Sequence, residues 1–430
     1  MPRRAINRTA LEEELINSLR STGPQSRATL QRALGVSQPT LSRILRKQVE
    51  RVLAVGPSIS PRYALKANDS WPIFEVNTTG KVQELEELTA VEPHHFVIDK
   101  QIFADLPYFL SDMRPSGFLG RLVPTLHPEL ALPRDIQTWN AQATLKYLSH
   151  AGFNSPGNLI VGEIALQRFL KSEAIFSPTP RSHYPAIADN ILSVGIPGSS
   201  AAGEQPKFLV TNEDSAHLIV KFSPPHSESV GRRMSDILVC EHIAMTILRE
   251  SGINAAKTNI FWNNERTFLE VERFDRIGLT GRRGVLSLGI LDAEFIGGST
   301  SWSDAVEKLI YLKKIMPQCH QHIRVLELFG HLIANSDMHL FNLSFLSEQG
   351  TRIIDVAPIY DMCPMSYAPR SNQLFPHQFS PPIPRKIDHQ IWNLALPLAI
   401  KFWKEVTIEK LISEQFRNIA KENMRRLESL

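Results

Sequence analysis

Cysteine is scarce in this chain of 430 residues. Cys240, Cys319 and Cys363 stand 79 and 44 residues apart, and none forms a C-x-x-C pair. That excludes a disulfide framework and a zinc ribbon, and it points to a reducing compartment. No uninterrupted apolar run reaches the roughly 18 residues of a membrane span. The opening MPRRAINRTALEEELINSL lacks an apolar stretch ahead of a small-residue cleavage site, unlike a secretory signal. Internal repeats and low-complexity tracts are missing as well. Neither G-x-G-x-x-G nor G-x-x-x-x-G-K-[ST] occurs, so no standard dinucleotide or Walker loop is expected. These absences predict a cytoplasmic protein without membrane attachment.

What is present is ordinary in bulk and uneven in detail. Apolar residues make up 43% and charged residues 21% of the chain, a composition that forms cores. At about 100–200 residues per domain, the length predicts two to four folding units. Residues 1–65 hold eleven Lys/Arg against four Asp/Glu, a net +7. Since the whole chain carries +3, the remainder carries −4. A basic head on a mildly acidic body suggests a polyanion-binding module joined to something else.

The pattern inside the head sharpens that reading. Leu11–Leu19 reads as a first helix. Two short amphipathic segments follow, with Leu30, Leu34, Val36, Leu41 and Ile44 apolar and Gly35-Val36-Ser37 between them. Gly35 suits a tight turn, Ser37 suits an N-cap, and Pro39 is tolerated in a first helical turn. The second segment would project Gln38, Thr40, Ser42, Arg43, Arg46 and Lys47, residue types that contact base edges and phosphates. RVLAVGPSISPRYAL then reads as a small hairpin with Arg62 on its return strand. The head resembles a winged helix-turn-helix domain and predicts DNA binding through residues 1–66.

Residues 66–80 read as a linker, and residues 81–190 as short helices and loops with clustered prolines and a GFLGR segment at 117–121. From residue 191 the order is more informative. A small-residue loop, GIPGSSAAGEQPK, precedes strands in KFLVTN and HLIVKF, a helix at about 232–251, and strands at 258–262 and 267–272. Loop, β, β, α, β, β is the order of a protein-kinase small lobe. Residues 285–430 read as mostly helical, interrupted by a hairpin at 343–355.

Phosphoryl transfer needs a cation on the phosphates, metal ligands, and a carboxylate that takes the acceptor's proton. Lys221 ends the second strand of the small lobe, and Glu241 follows on the next helix, 20 residues on. NSDMHLFN (335–342) spaces Asp337 and Asn342 as D-x4-N, and Asp361 lies beyond the hairpin. Asp and Asn oxygens are hard ligands suited to Mg²⁺. His331 and His339 are eight residues apart and do not share a helix face as an i, i+4 pair does, which argues against zinc. His339 instead reads as a brace for the loop.

Five segments carry a family resemblance: GFLGR (117–121), SAAGEQPKF (200–208), HLIVK (217–221), ERFDR (272–276), and NSDMHLFN with VAPIYDM (335–342, 356–362). Together they resemble the HipA-like serine/threonine kinases, the toxins of type II toxin–antitoxin pairs, and in particular the YjjJ-type branch with a helix-turn-helix fused in front. The resemblance implies an α+β, bilobal protein-kinase-like fold behind a small winged domain. Its expected divisions are 1–66, an N-terminal-like region at 67–190, a small lobe at 191–284 and a large lobe at 285–430. It implies ATP and Mg²⁺ as cofactors, with Asp337 as catalytic base, Asn342 and Asp361 as metal ligands, and Lys221 on the phosphates. It places Gly203 in the phosphate loop, Glu272 and Phe274 at the hinge that holds adenine, and Asp275 against the ribose. Ser200 matches an autophosphorylated serine, with Ser199 as a second acceptor. Expected partners are DNA, a protein substrate such as an aminoacyl-tRNA synthetase, and a HipB-like antitoxin. The family loop reads H-x-K-N where this chain has His339-Leu340-Phe341-Asn342, so Phe341 predicts slower transfer. Two other readings stand beside the kinase: a DNA-binding regulator whose kinase fold senses nucleotide, and a Mg²⁺-dependent nuclease toxin.

Overall fold

Three helices build the basic head: α1 (Arg8–Thr22), α2 (Arg27–Leu34) and α3 (Gln38–Lys47). They belong to a computed structural model that describes residues 8–171, 176–193, 205–370, 373–383 and 387–430. Ser26 caps α2 by accepting the Thr29 N–H at 3.2 Å. Gly35, at φ 63°, turns the chain from α2 into α3 through the left-handed region. Leu30, Leu34, Leu41 and Ile44 then bury against Leu15 and Leu19 of α1. β1 (Val52–Val55) and β2 (Arg62–Val76) form the wing hairpin, in register from Val52↔Leu65 to Val55↔Arg62.

The linker expected at 66–80 is instead the continuation of a strand. β2 runs unbroken to Val76 and pairs with β3 (Val82–Val91) along its second half. β4 (His95–Ile98) and β5 (Gln101–Phe103) extend this sheet beyond β3. After helices α4 (Gly117–Leu126) and α5 (Ala141–Ala151), β6 (Leu159–Val161) pairs with the other edge of β2. Register shifts at Lys66/Ser70 and Ile73/Phe74 break the period-two alternation, and β3 spends Gln83, Glu84, Glu86 and Glu87 on solvent. Those features make the sequence look like a polar linker. Ile73, Leu88, Phe96, Leu145, Leu148 and Val161 form the core beneath.

The small lobe follows the expected order. β7 (Lys207–Thr211), β8 (His217–Phe222), α6 (Ser229–Glu250), β9 (Thr258–Asn263) and β10 (Arg266–Glu272) give an antiparallel sheet ordered β9-β10-β8-β7. In the large lobe, β11 (Gly284–Ser287) leads into α7 (Leu288–Phe295), and α8 (Cys319–Leu332) precedes the catalytic-loop segment. β12 (Ser344–Glu348) and β13 (Arg352–Val356) form the expected hairpin, with β11 as a third strand on β12. Helices α9 (His389–Ile408) and α10 (Glu414–Glu428) close the lobe over Phe329, Phe402, Trp403 and Phe416. Asp236 of α6 fastens the two lobes: its carboxylate accepts both the N–H and the Oγ–H of Ser413 at 2.7 Å.

Candidate active site

Lys221 sits near the end of β8 with its ammonium buried. Glu241, midway along the lobe's long helix α6, accepts from Lys221 Nζ through both carboxylate oxygens at 2.7 and 2.8 Å. Asp361 Oδ1 is its third partner. Burial works against the Lys221 charge, but Asp361 and Glu241 outweigh it and hold its pKa above the usual lysine value. Burial likewise opposes the Asp361 charge, yet Lys221 and Lys207 hold that carboxyl below the ordinary range. The site therefore keeps a charged lysine between two acidic residues from different lobes.

The catalytic-loop segment is packed closely onto α8. A Cβ on Gly330 would lie 2.2 Å from Met338 Sδ, so the Met338 thioether packs directly on the helix backbone at this glycine. Asn335 Oδ1 accepts the Asp337 N–H at 3.1 Å, and Asn342 Nδ2 donates to the Asp337 carbonyl at 2.6 Å. That second bond turns the amide nitrogen toward the loop and leaves Oδ1 as the oxygen of this side chain that could accept from a cation. Asp361 holds a left-handed backbone at φ 56°, a conformation costing about 1–3 kcal/mol and concentrated at functional sites. His339 braces the loop through its backbone: its carbonyl accepts from Trp302 Nε1 and from the Asn342 N–H, both at 3.0 Å.

Lys221, Glu241, Asp337, His339, Asn342 and Asp361 all line one interlobe cavity of about 870 Å³. Asn342 and Asp361 offer hard oxygens in the number Mg²⁺ takes from protein when phosphates complete its shell. Among the described residues no group of three or more His, Cys, Asp or Glu is placed to hold a metal unaided.

Other expected residues fall elsewhere. Glu272 and Phe274 border a separate recess that also holds Lys257 and Arg283. Phe274 stacks on Tyr360, with centroids 5.7 Å apart, and so touches the residue before Asp361. Asp275, expected against the ribose, is buried, with its carboxylate bonded to protein groups. It accepts from Arg273 Nη2 and Arg276 Nη1 at 2.8 and 2.7 Å and from the Gly157 N–H at 2.9 Å. These bonds clamp the small lobe to the middle domain. Gly203, Ser199 and Ser200 lie outside the described residues.

Two contributors had no assigned role in the sequence reading. Lys207 opens β7 directly opposite Lys221 in register, and it lines the same cavity. Its signal was a lysine at the first position of a strand that follows a small-residue loop. The middle domain supplies the outer wall through Arg114, Gly117 and Phe118, which gives the GFLGR segment a location. It is fixed there by Asp112, which accepts the N–H and Oγ–H of Ser287, each at 2.6 Å.

On the head, Gln38, Arg43, Arg46 and Lys47 are exposed along α3, while Thr40 and Ser42 are half-buried. Lys47 pairs with Glu12 at 3.2 Å. Arg62 folds back to donate to the Pro24 carbonyl at 2.6 Å, so its guanidinium supports the wing as well as facing outward.

The bilobal fold and the carboxylate–lysine cleft define a HipA-like, kinase-like protein. Residues 199–427 match the HipA-like C-terminal domain family, and residues 67–170 match the middle domain of YjjJ-like toxins. Toxin YjjJ of Escherichia coli K12 is 36% identical over 420 residues, covering 93% of this chain and 94% of the relative. The chain belongs to the YjjJ-like toxins of the HipA-like family. In fold it is similar to HipA of Shewanella oneidensis MR-1, solved in complex with HipB and operator DNA. That likeness has a TM-score of 0.50 at 16% identity and covers 83% of this chain and 96% of that one. No helix among the described residues is long and apolar enough to cross a membrane.

Proposed function

We propose that this toxin is an ATP- and Mg²⁺-dependent protein serine/threonine kinase, acting in the cytoplasm and tethered to DNA by its winged head. The single observation that carries the reading is the Lys221 ammonium shared by Glu241 and Asp361 across a cleft that also holds Asp337 and Asn342. Lys221 would hold the nucleotide phosphates, and Glu241 keeps it extended toward them. Asn342 Oδ1 and Asp361 would hold Mg²⁺, which neutralises phosphate charge when bound. Asp337 would orient the acceptor hydroxyl and take its proton as the phosphoryl group is transferred. Ser200, or Ser199 beside it, is the proposed internal acceptor, in the loop that contains Gly203. A HipB-like antitoxin and a translation component such as an aminoacyl-tRNA synthetase fit the family as partner and substrate.

Incubation of purified protein and cell lysate with labelled ATP tests the reading. Phosphate should appear on the protein itself and on at least one lysate protein, and Asp337→Ala should abolish both. No transfer, or equal transfer by Asp337→Ala, would reject it. Tight ATP binding without transfer, together with sequence-specific DNA retention, would favour the regulator; plasmid cleavage in Mg²⁺ without ATP would favour the nuclease.

A further inference from the structure

The lining of the interlobe cavity mixes its charged residues with apolar ones, and one of the apolar residues stands in the Asp337–Asn342 segment itself. Phe341, four residues after Asp337 and immediately before Asn342, presents a ring that is 54% exposed in the cavity. The ring is held from several sides. A Cβ on Gly289 would come within 2.7–2.8 Å of three of its ring carbons, so it rests directly on the backbone of α7. Its carbonyl accepts from Tyr360 Oη at 2.7 Å. His339 meets it edge-on, at 6.3 Å between centroids. Ile290 of α7 and Phe118 of the middle domain line the same cavity. A fixed, half-exposed aromatic ring loses little freedom when it is covered, which is what a recognition anchor requires.

We infer that Phe341 is a specificity-determining residue that selects acceptor segments carrying a large apolar side chain beside the phosphorylated serine or threonine. This rests on the kinase reading. The acceptor hydroxyl must reach Asp337, and with the peptide bent at the serine a flanking side chain falls against Phe341, with Ile290 and Phe118 as further apolar surface. A glycine or charged neighbour leaves the ring in water.

Two peptides that differ only in the residues flanking a single serine, leucine in one and glycine in the other, provide the test. Full-length protein should favour the leucine peptide by about tenfold in kcat/KM, in line with covering half of a phenylalanine ring. Phe341→Ser should bring that ratio close to one, and Phe341→Leu should keep most of it. If Phe341→Ser slows both peptides equally and preserves the ratio, the ring only supports the loop and the inference is overturned. Equal use of both peptides by the unmodified protein also overturns it, while leaving the kinase reading standing. Absence of phosphate on either peptide and on the protein itself overturns both.

Discussion

Replacing Lys221 with methionine removes the one cation between Glu241 and Asp361 while keeping most of the side chain's volume. Breaking a buried ion pair from one side costs about 3–5 kcal/mol, because the remaining charge is stranded. Two features reduce that here. The Asp361 side chain is 36% exposed and can recover some hydration, and Glu241, whose carboxyl burial already pushes up, can take a proton. A loss of about 3 kcal/mol is therefore expected. At roughly 2–4 °C per kcal/mol for a unit of this size, thermal unfolding should shift down by about 6–12 °C. The pH dependence follows from the direction of the Glu241 shift. A carboxyl whose folded pKa lies above its unfolded value contributes stability below the unfolded pKa and loses it as pH rises through the folded one. The gap between Lys221→Met and the parent should thus be small near pH 5 and widen toward pH 8. Adding Glu241→Gln to Lys221→Met should recover part of the loss, giving a non-additive cycle. Urea unfolding of all four proteins at several pH values measures this. A pH-independent gap, or a loss under 1 kcal/mol, would mean that the lysine is not held by these acids.

Asp275→Ala should strand Arg273 and Arg276 at the domain junction and cost about 3–5 kcal/mol in urea unfolding. Burial opposes the Asp275 charge, but Arg273 and Arg276 hold its pKa well below the usual value. Its contribution is therefore present above the unfolded carboxyl pKa, near 3.9, and is lost as pH falls toward the folded one, so the variant and its parent should converge in strong acid. In the head, Arg43→Ala and Arg46→Ala should each weaken DNA binding. Each should also lower the slope of log affinity against log salt by about 0.9, read by anisotropy titrations at several salt concentrations; unchanged slopes would remove α3 from the phosphate contacts.

Much of the catalytic geometry was legible because it is written on regular elements. Lys221 ends an apolar strand, Glu241 lies within a helix of evident period, and the hairpin between Asn342 and Asp361 has ordinary turn residues. What was not legible depends on partners distant in sequence. ERFDR packs four charges into five residues, and its spacing alone cannot tell that Asp275 faces Gly157 of another domain. Lys207 acquires its meaning only from its register opposite Lys221. The left-handed backbone of Asp361 is fixed by packing around it, not by a glycine that would announce it. The middle-domain sheet was hidden by its bulges and by a solvent face rich in glutamate.

That hidden sheet changes how the basic head relates to the rest of the chain. A boundary at residue 66 cuts β2 partway along, between the part that pairs with β1 and the part that pairs with β3 and β6. Tyr63 and Leu65 belong to the core of the head, while Ile73, eight residues further along the same strand, belongs to the core of the middle domain. From β6 the chain is one residue from Asn158 and two from Gly157, whose N–H is held by Asp275 of the small lobe. A head joined in this way has no flexible linker behind it, so docking of the head on DNA, as proposed, would also set the position of the cleft. Deleting residues 1–65 would take Val55 and Ala64 out of the small core they share with Val91 of β3 and Val97 of β4 and expose those two side chains, so a loss of kinase or toxin activity in that deletion would report misfolding as readily as loss of DNA. Substitutions on the exposed face of α3 remove the contacts and keep the strand, and they are the perturbation that can separate tethering from catalysis.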